Sequence, residues 1–306
     1  MKRLLPAAVF LVVALLGAGI TWIVYQAIRD SAESEFQTLA DNAVDRVTTR
    51  IEQHLSLLTA THAFLKANNG KIGAKPFETF ISGLDIEGRY DGIQGIGYAG
   101  LIRTGEEAGT EAWFESAYEL PREVWPASTD QQYRTPIVLL EPHDPRNDTA
   151  LGYDMFSEAT RRAAMQRAIE TGNATASGPV KLVQEITSVK QVGFLVYLPF
   201  RAGGDEDIAG KMPDGFVYAP FRAGDLHAAA LEMPPVLPVV VKTFDVSNGK
   251  PVLLYETPAF DELRSRDGMA TVIDANVAGR KWRFELHSTG GVAQYADFLP
   301  VYALCA

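Results

Sequence analysis

An uncharged apolar run occupies residues 4–25, immediately after Lys2 and Arg3. As a helix rising about 1.5 Å per residue, a run of this length crosses the roughly 30 Å hydrocarbon core of a bilayer. Trp22 and Tyr25 stand near its end, a position typical of interfacial aromatic residues. The basic residues before the run predict a cytoplasmic N-terminus. We therefore expect residues 1–26 to be a transmembrane anchor in a bacterial inner membrane, with the rest of the chain in the periplasm.

A cleaved signal peptide is the alternative interpretation of this run, because Gly17 and Gly19 are small enough to flank a cleavage site. The anchor is favoured because the apolar run continues beyond these glycines. The helical pattern of the next segment also follows the apolar run without a break, whereas a cleaved signal peptide does not need a helix directly after it.

A long stalk helix is predicted over residues 27–70. Its apolar residues recur at alternating steps of three and four, as on the seam of a coiled coil. The seam consists of Ile28, Ala32, Phe36, Leu39, Ala43, Val47, Ile51, Leu55, Leu58, His62 and Leu65. A long helix leaving a membrane predicts a homodimer formed through the stalk. The alternative is that the seam packs on the chain's own domain.

Composition excludes several classes of function. The chain has 28 Lys and Arg against 38 Asp and Glu, a net charge of −10, which disfavours binding to nucleic acid. Its one cysteine, Cys305, rules out an intrachain disulfide and a cysteine-cluster zinc site. The glycines at 92–97 lack the spacing of a dinucleotide site, and we find no catalytic serine or zinc-protease motif. No cofactor is expected.

Residues 71–290 alternate short strand and helix patterns, which predicts an α+β fold built on antiparallel sheets. A larger unit is expected over residues 71–222. A smaller one is expected over 223–290, where a turn at 247–249 joins two strands in a hairpin. The chain becomes apolar again over 291–306, which predicts the start of a second transmembrane segment.

The stretch 150–172 contains the residues of greatest interest. A short strand is predicted over 150–155, and a helix after Ser157 is expected to present Arg161 outward. Asp154 interrupts the strand, where aspartate is disfavoured. If its side chain faces an apolar interior, it needs a hydrogen-bond donor, which a ligand would supply. The alternative is that Asp154 caps the next helix or faces water.

A cation site is a second possibility, because carboxylates and one histidine crowd a short turn. The candidate ligands are Glu141, His143, Asp144, Asp148 and Asp154. Using the first three of these residues, the protein would be a membrane-anchored periplasmic metal-assisted hydrolase. Turn and capping chemistry explains the same residues without a metal.

Several motifs between residues 77 and 200 resemble the CHASE domain family, the extracellular sensor of histidine kinases and nucleotide cyclases. In chain order these are Gly95-Ile-Gly-Tyr-Ala, Tyr133-x-x-Pro-Ile, Glu141-Pro, Asn147-x-x-Ala-Leu-Gly-Tyr-Asp-Met, the helix over 161–172, Ser177-Gly-Pro-Val-x-Leu and Gly193-Phe-Leu-x-Tyr-x-Pro.

The resemblance implies a stalk helix followed by two PAS-like subdomains, of which the membrane-distal one binds a small molecule. In plant cytokinin receptors of this family an aspartate matching Asp154 hydrogen-bonds an adenine-type ligand, and a threonine at the pocket base matches Ser177. Because serine is smaller than threonine, cytokinin itself does not follow. The residues expected to line the pocket are Asp154, Ser177, Tyr133, Tyr153, Met155, Gly178, Leu182 and Phe194.

The sequence thus predicts an extracytoplasmic sensor for a small, for example heterocyclic, molecule. The stalk would couple binding to a cytoplasmic output domain, a histidine kinase or nucleotide cyclase, which is absent from these 306 residues. No enzymatic activity is expected from this chain.

Overall fold

The computed structural model of the protein describes residues 4–119, 121–184, 191–203, 209–258, 260–264 and 268–290. The fold is α+β, with antiparallel sheets beside one long N-terminal helix. The helices are α1 (Leu4–Ala67), α2 (Ala74–Gly83), α3 (Ile86–Arg89), α4 (Glu107–Tyr118), α5 (Pro145–Asp148), α6 (Ala159–Thr171), α7 (Ala223–Leu231) and α8 (Phe260–Arg264). A 3-10 helix, Met155–Ser157, precedes α6.

The strands form two main sheets and one short ribbon. They are β1 (Ile96–Gly100), β2 (Ile102–Arg103), β3 (Tyr133–Arg134), β4 (Ile137–Glu141), β5 (Thr175–Ala176), β6 (Gly193–Phe200), β7 (Gly215–Arg222), β8 (Val239–Asp245), β9 (Val252–Glu256), β10 (Ala270–Val277) and β11 (Arg280–Ser288). A five-stranded sheet has the order β4-β1-β7-β6-β5 and a four-stranded sheet the order β10-β11-β8-β9, while β2 pairs with β3.

Helix α1 contains the apolar run and then passes both sheets. Among the described residues it is the one helix long and apolar enough to cross a membrane, and its most apolar window has a mean hydropathy of 2.0. Gln37 bonds Thr271 of the four-stranded sheet at 3.2 Å, and His54 further along contacts Phe221 of the five-stranded sheet. The four-stranded sheet therefore lies nearer to the apolar end.

The seam of α1 packs on the chain's own sheets. The seam residues that are buried in this way are Ala32, Phe36, Ala43, Val47, Ile51, Leu58 and Leu65. The intrachain alternative thus describes this stretch, and the face of α1 that remains exposed after residue 26 is mainly polar. A dimer contact through this part of α1 would have to use that polar face.

The five-stranded sheet separates two apolar cores. One face packs against α1 and shares its core with Trp282 and Phe284 of the four-stranded sheet. The other face is covered by the 3-10 helix and α6, with Met155 and Met165 in its core. We call this second core the inner chamber.

The structure differs from the sequence prediction at two places. Residues 150–154 form turns with isolated bridges and Met155 begins the 3-10 helix, so the predicted strand over 150–155 is absent from this described stretch. Arg161 faces inward and is 4% exposed, because it shares the spacing of the buried residues Ala164, Met165 and Ala168. Residues 291–306, with the predicted second transmembrane segment and Cys305, lie outside the described residues.

Candidate functional site

Two tyrosines project from the five-stranded sheet into the inner chamber. Tyr197 of β6 and Tyr218 of β7 are register partners, and both are fully buried. The Tyr197 hydroxyl contacts the Met155 sulfur at 3.5 Å, and a thioether is a weak acceptor. The Tyr218 hydroxyl has no hydrogen-bond partner among the described residues. Burial raises the pKa of both hydroxyls, so they remain neutral.

Asp154 lies against the inner chamber with a fully buried side chain. One carboxylate oxygen accepts from the backbone N–H of Thr135 at 2.8 Å and of Phe156 at 3.0 Å. The other accepts from Arg134 Nε at 3.1 Å. The bond from Phe156 caps the 3-10 helix, so the capping alternative describes what this side chain does here.

Arg134 compensates the buried charge of Asp154 and is itself 2% exposed. Its Nη1 donates to Glu107 Oε1 at 3.0 Å, and its Nη2 donates to the carbonyl of Pro126. One guanidinium therefore ties the start of α4 and the loop at Pro126 to Asp154. Sequence reasoning missed Arg134; the available signal was an arginine inside the motif Tyr133-x-x-Pro-Ile.

An open groove of about 650 Å³ lies beside this ion pair. Trp125 and Tyr153 form its aromatic wall, with ring centroids 4.6 Å apart. Trp125 is 38% exposed and Tyr153 is 9% exposed, so the tryptophan face is open to a ligand and the tyrosine is mostly covered. The remaining lining residues are Pro126, Ser128, Thr129, Asp130, Ser157 and Glu158.

Tyr153 connects the groove to the inner chamber. The Arg161 guanidinium lies 5.3 Å from its ring centroid, and Arg161 Nη1 approaches the Tyr153 hydroxyl at 3.4 Å. Arg161 Nη2 donates to the Lys181 carbonyl at 2.9 Å. Glu158, and not Ser157, caps α6 by accepting from the backbone N–H groups of Thr160 and Arg161.

The structure brings some of the predicted pocket residues together. Tyr153, Met155 and Leu182 belong to the inner chamber, and Tyr133 packs at its edge. Ser177 stabilises the backbone at the edge of the five-stranded sheet: its hydroxyl accepts a hydrogen bond from Leu195 N at 3.0 Å and donates one to the Gly178 carbonyl.

Two of the predicted pocket residues lie elsewhere. Phe194 faces the α1 side and packs against Phe221 and Trp282, with ring centroids 5.0 and 5.2 Å away. It does so because successive strand residues face opposite sides, and its neighbour Leu195 takes the chamber side. Gly178 lies under Arg280, outside both the groove and the chamber.

The acidic turn forms no metal centre among the residues that the structure describes. Asp144 caps α5 and pairs with Arg146 at 2.8 Å. Asp148 pairs with Arg122, and Asp154 with Arg134. The turn and capping explanation accounts for these carboxylates, and nothing here supports the hydrolase alternative.

The comparisons with known proteins concern the family and the fold of the chain. The family model described as CHASE domain matches residues 70–255. The periplasmic sensory domain of the Campylobacter jejuni chemoreceptor Tlp1 is similar in fold, with a TM-score of 0.52 at 10% identity, covering 90% of this chain and 99% of that one.

Two further solved structures resemble the chain more weakly. The ligand-binding domain of the Pseudomonas aeruginosa amino acid chemoreceptor PctB, in complex with L-Arg, gives a TM-score of 0.45 at 10% identity, covering 85% of this chain and 95% of that one. An extracellular ligand-binding receptor from Desulfohalobium retbaense gives 0.43 at 13% identity; the match covers 85% of this chain and spans 39% of that one.

No curated protein matches the sequence. The family model covers residues 70–255, which is more than half of the chain. The protein therefore belongs to the CHASE domain family and contains an extracellular ligand-binding sensor domain of a signalling receptor.

Proposed function

We propose that the groove and the inner chamber together form the ligand site of this sensor. The observation that carries the proposal is that the inner chamber contains two buried tyrosine hydroxyls without a strong hydrogen-bond partner among the described residues. The Tyr218 hydroxyl has no partner among the described residues, and the Tyr197 hydroxyl has only a thioether. A buried hydroxyl without a partner costs about 1–3 kcal/mol, so a ligand group that bonds to it gains affinity.

The ligand enters over Trp125 and reaches the tyrosine hydroxyls as Met155 and Met165 give way. Unbranched methionine side chains adapt readily to a new neighbour. Asp130 and Glu158 make the groove acidic, and the exposed Trp125 face suits a flat ring. The site therefore fits a neutral or cationic ring that carries N–H donors, and a heterocycle meets this description.

Asp154 acts in this proposal as a positioning residue. It fixes the backbone next to Tyr153 and compensates Arg134. The family resemblance implies a direct hydrogen bond between Asp154 and the ligand. For this bond to form, a ligand N–H has to replace Arg134 Nε as the donor to Asp154. Ser177 plays no direct part, since its hydroxyl is committed to the sheet edge.

The remaining parts of the proposal concern the whole receptor. Residues 1–26 anchor the chain in the inner membrane, residues 27–70 form the stalk, and 71–222 and 223–290 are the distal and proximal subdomains in the periplasm. Two copies associate through the exposed face of α1. The chain itself carries no catalytic activity and passes the signal to a cytoplasmic output domain. The apolar N-terminal helix and the CHASE match support this arrangement.

A ligand screen by thermal unfolding tests the proposal. The full chain in detergent is mixed with purines, other heterocycles, amino acids and carboxylic acids. A ligand at a hundred times its Kd adds about 2.7 kcal/mol of stability. Trp125→Ala is expected to abolish the shift given by a ring compound. Val236→Ala, which alters a 70% exposed apolar residue outside the groove, is expected to leave the shift unchanged. A ring compound that stabilises Trp125→Ala as strongly as the parent would contradict the proposed site.

A further inference from the structure

A second cavity lies where α6 and β5 face the four-stranded unit; it is separate from the groove and adjoins the inner chamber at Ala164. Its volume is about 250 Å³, and it is lined by residues of α6, by Gly178 and by two residues of the four-stranded unit, Asn248 and Arg280. The expected pocket residue Gly178 belongs to this cavity. From these lining residues we propose that it is a binding site for a small aliphatic carboxylate.

The charge of the cavity comes from Arg167 of α6. Arg167 lines the cavity, and its guanidinium forms no ion pair or hydrogen bond with any part of the chain that the structure describes. No lining residue is acidic, in a chain whose overall net charge is −10. The cavity is therefore locally positive and disfavours a cation.

Arg280 supplies a second, fixed donor. It is 4% exposed and makes two bonds to Asp245, from Nε at 2.5 Å and from Nη2 at 2.8 Å. These bonds neutralise its charge and hold the guanidinium in place. Its Nη1 is bonded to no acceptor within the described ranges and remains available to a ligand oxygen. Planar guanidinium groups match the geometry of a carboxylate.

The floor of the cavity restricts the ligand further. The methyl groups of Ala163, Ala164 and Ala176 line it together with Gly178. A Cβ at position 178 would lie 3.0 Å from the Thr160 methyl and 3.5 Å from Arg280 Nη2, so glycine keeps this space open. Methyl groups suit a short aliphatic chain and leave phosphate oxygens without partners. The volume is below the range of about 300–1,000 Å³ typical of drug-sized ligands, so the carboxylate is small.

The position of the cavity assigns the carboxylate a coupling role. Nearby, the Ala176 N–H of β5 donates to the carbonyl of Ala278, in the turn between β10 and β11, at 2.8 Å. A carboxylate held by Arg167 and Arg280 adds a second connection between α6 and the start of β11. Occupancy is therefore expected to stabilise the docking of one sheet on the other.

Titration calorimetry on the full chain in detergent tests the proposal with sodium propionate, neutral propionamide and inorganic phosphate at constant ionic strength. Propionate is expected to give saturable heat, and propionamide none. Arg167→Gln should weaken propionate binding about tenfold or more. Ala163→Leu, which adds bulk at a residue that lines the cavity without changing charge, should weaken propionate binding as well. Arg283→Gln is the matched control, because Arg283 pairs with Asp274 on the four-stranded sheet and does not line the cavity.

Three results would overturn the proposal: no saturable heat with propionate, equal affinity in Arg167→Gln and the parent, or binding of phosphate in preference to propionate. Thermal unfolding without ligand shows whether each variant is folded. If Arg167→Gln does not fold, Ala163→Leu still tests the proposal. Trp125→Ala should bind propionate as the parent does, so this site succeeds or fails independently of the groove.

Discussion

At the scale of single residues, the Arg134–Asp154 pair has the clearest energetic consequence. Both side chains are buried, with exposures of 2% and 0%. Asp154→Ala leaves the guanidinium with the partly exposed Glu107 as its remaining carboxylate partner among the described residues, and removing one partner of a buried pair costs about 3–5 kcal/mol. Asp154→Asn keeps an acceptor for the N–H groups of Thr135 and Phe156 and should cost less. Urea unfolding followed by near-ultraviolet circular dichroism measures both variants.

Asp274→Ala serves as the control for this prediction. Asp274 pairs with Arg283, whose side chain is 40% exposed, and exposed pairs contribute at most about 1 kcal/mol. If Asp154→Ala costs no more than Asp274→Ala, Arg134 is compensated by Glu107 alone. Because Asp154→Ala threatens the fold, Asp154→Asn is the better variant for ligand-binding measurements.

Glu141 predicts a dependence of stability on pH near neutrality. It is 4% exposed; burial and the charge of Glu78 raise its pKa to about 7. Between the ordinary carboxyl range and pH 7, the folded protein retains a proton that the unfolded chain releases. The free energy of unfolding therefore falls as pH rises through this interval and levels off above pH 7.

Glu141→Gln should remove this slope and gain on the order of 2–3 kcal/mol relative to the parent between pH 4.5 and pH 8. Only the difference between variant and parent is informative, because burial lowers the pKa of His54 and His227 to about 4, and their effect on stability has the opposite sign. Urea unfolding across this pH range measures the difference. Glu78→Gln should remove only part of the slope, and an unchanged slope in Glu141→Gln would contradict the assignment.

At the scale of elements, α1 is predicted to be stabilised by its own chain. Leu58 is fully buried against the sheets, so Leu58→Ala should lower the free energy of unfolding by about 2–5 kcal/mol. Ser56→Ala, on the exposed face of the same helix, should change it by less than about 0.5 kcal/mol. Urea unfolding at several protein concentrations checks this. A Leu58→Ala cost that grows with dilution would instead place the seam between two copies.

The sequence predicted the elements whose pattern is local. Apolar spacing located α1. The Asn-Gly turn correctly predicted the β8–β9 hairpin. The strand prediction for residues 150–155 was wrong because the backbone of this stretch hydrogen-bonds to Trp125, Thr135 and Ile137, which lie much earlier in the chain.

The candidate site was only partly predictable for the same reason. Asp154 was identified as a residue that needs a donor, but its donor Arg134 lies 20 residues away and no local pattern pairs them. Arg161 was assigned outward by residue type, although its spacing matched the buried stripe of α6. The charge of Arg161 favoured an exposed position, but its spacing along α6 places it on the buried face, and the spacing determined its orientation.

At the scale of the whole molecule, the two sheets share one apolar core. Trp282 of β11 is 1% exposed and contacts Phe194 of β6 at 5.2 Å and His227 of α7 at 5.7 Å. Trp282→Ala should cost about 3–5 kcal/mol and accelerate amide hydrogen exchange in β6 as well as β11. Val272→Ala, at a 58% exposed position of β10, should leave exchange in both strands unchanged. Faster exchange confined to β11 would show that the sheets unfold separately.

The continuity of α1 has a mechanical consequence. With 64 residues rising about 1.5 Å each, this helix is a rod of roughly 96 Å. The five-stranded sheet contacts this helix near its C-terminal end, and the apolar run lies at its N-terminal end. A rod without a joint passes an axial push or a twist along its whole length with little loss. In the proposed receptor, a displacement of the five-stranded sheet against the C-terminal part of α1 would therefore be transmitted to the apolar N-terminal part of the same helix.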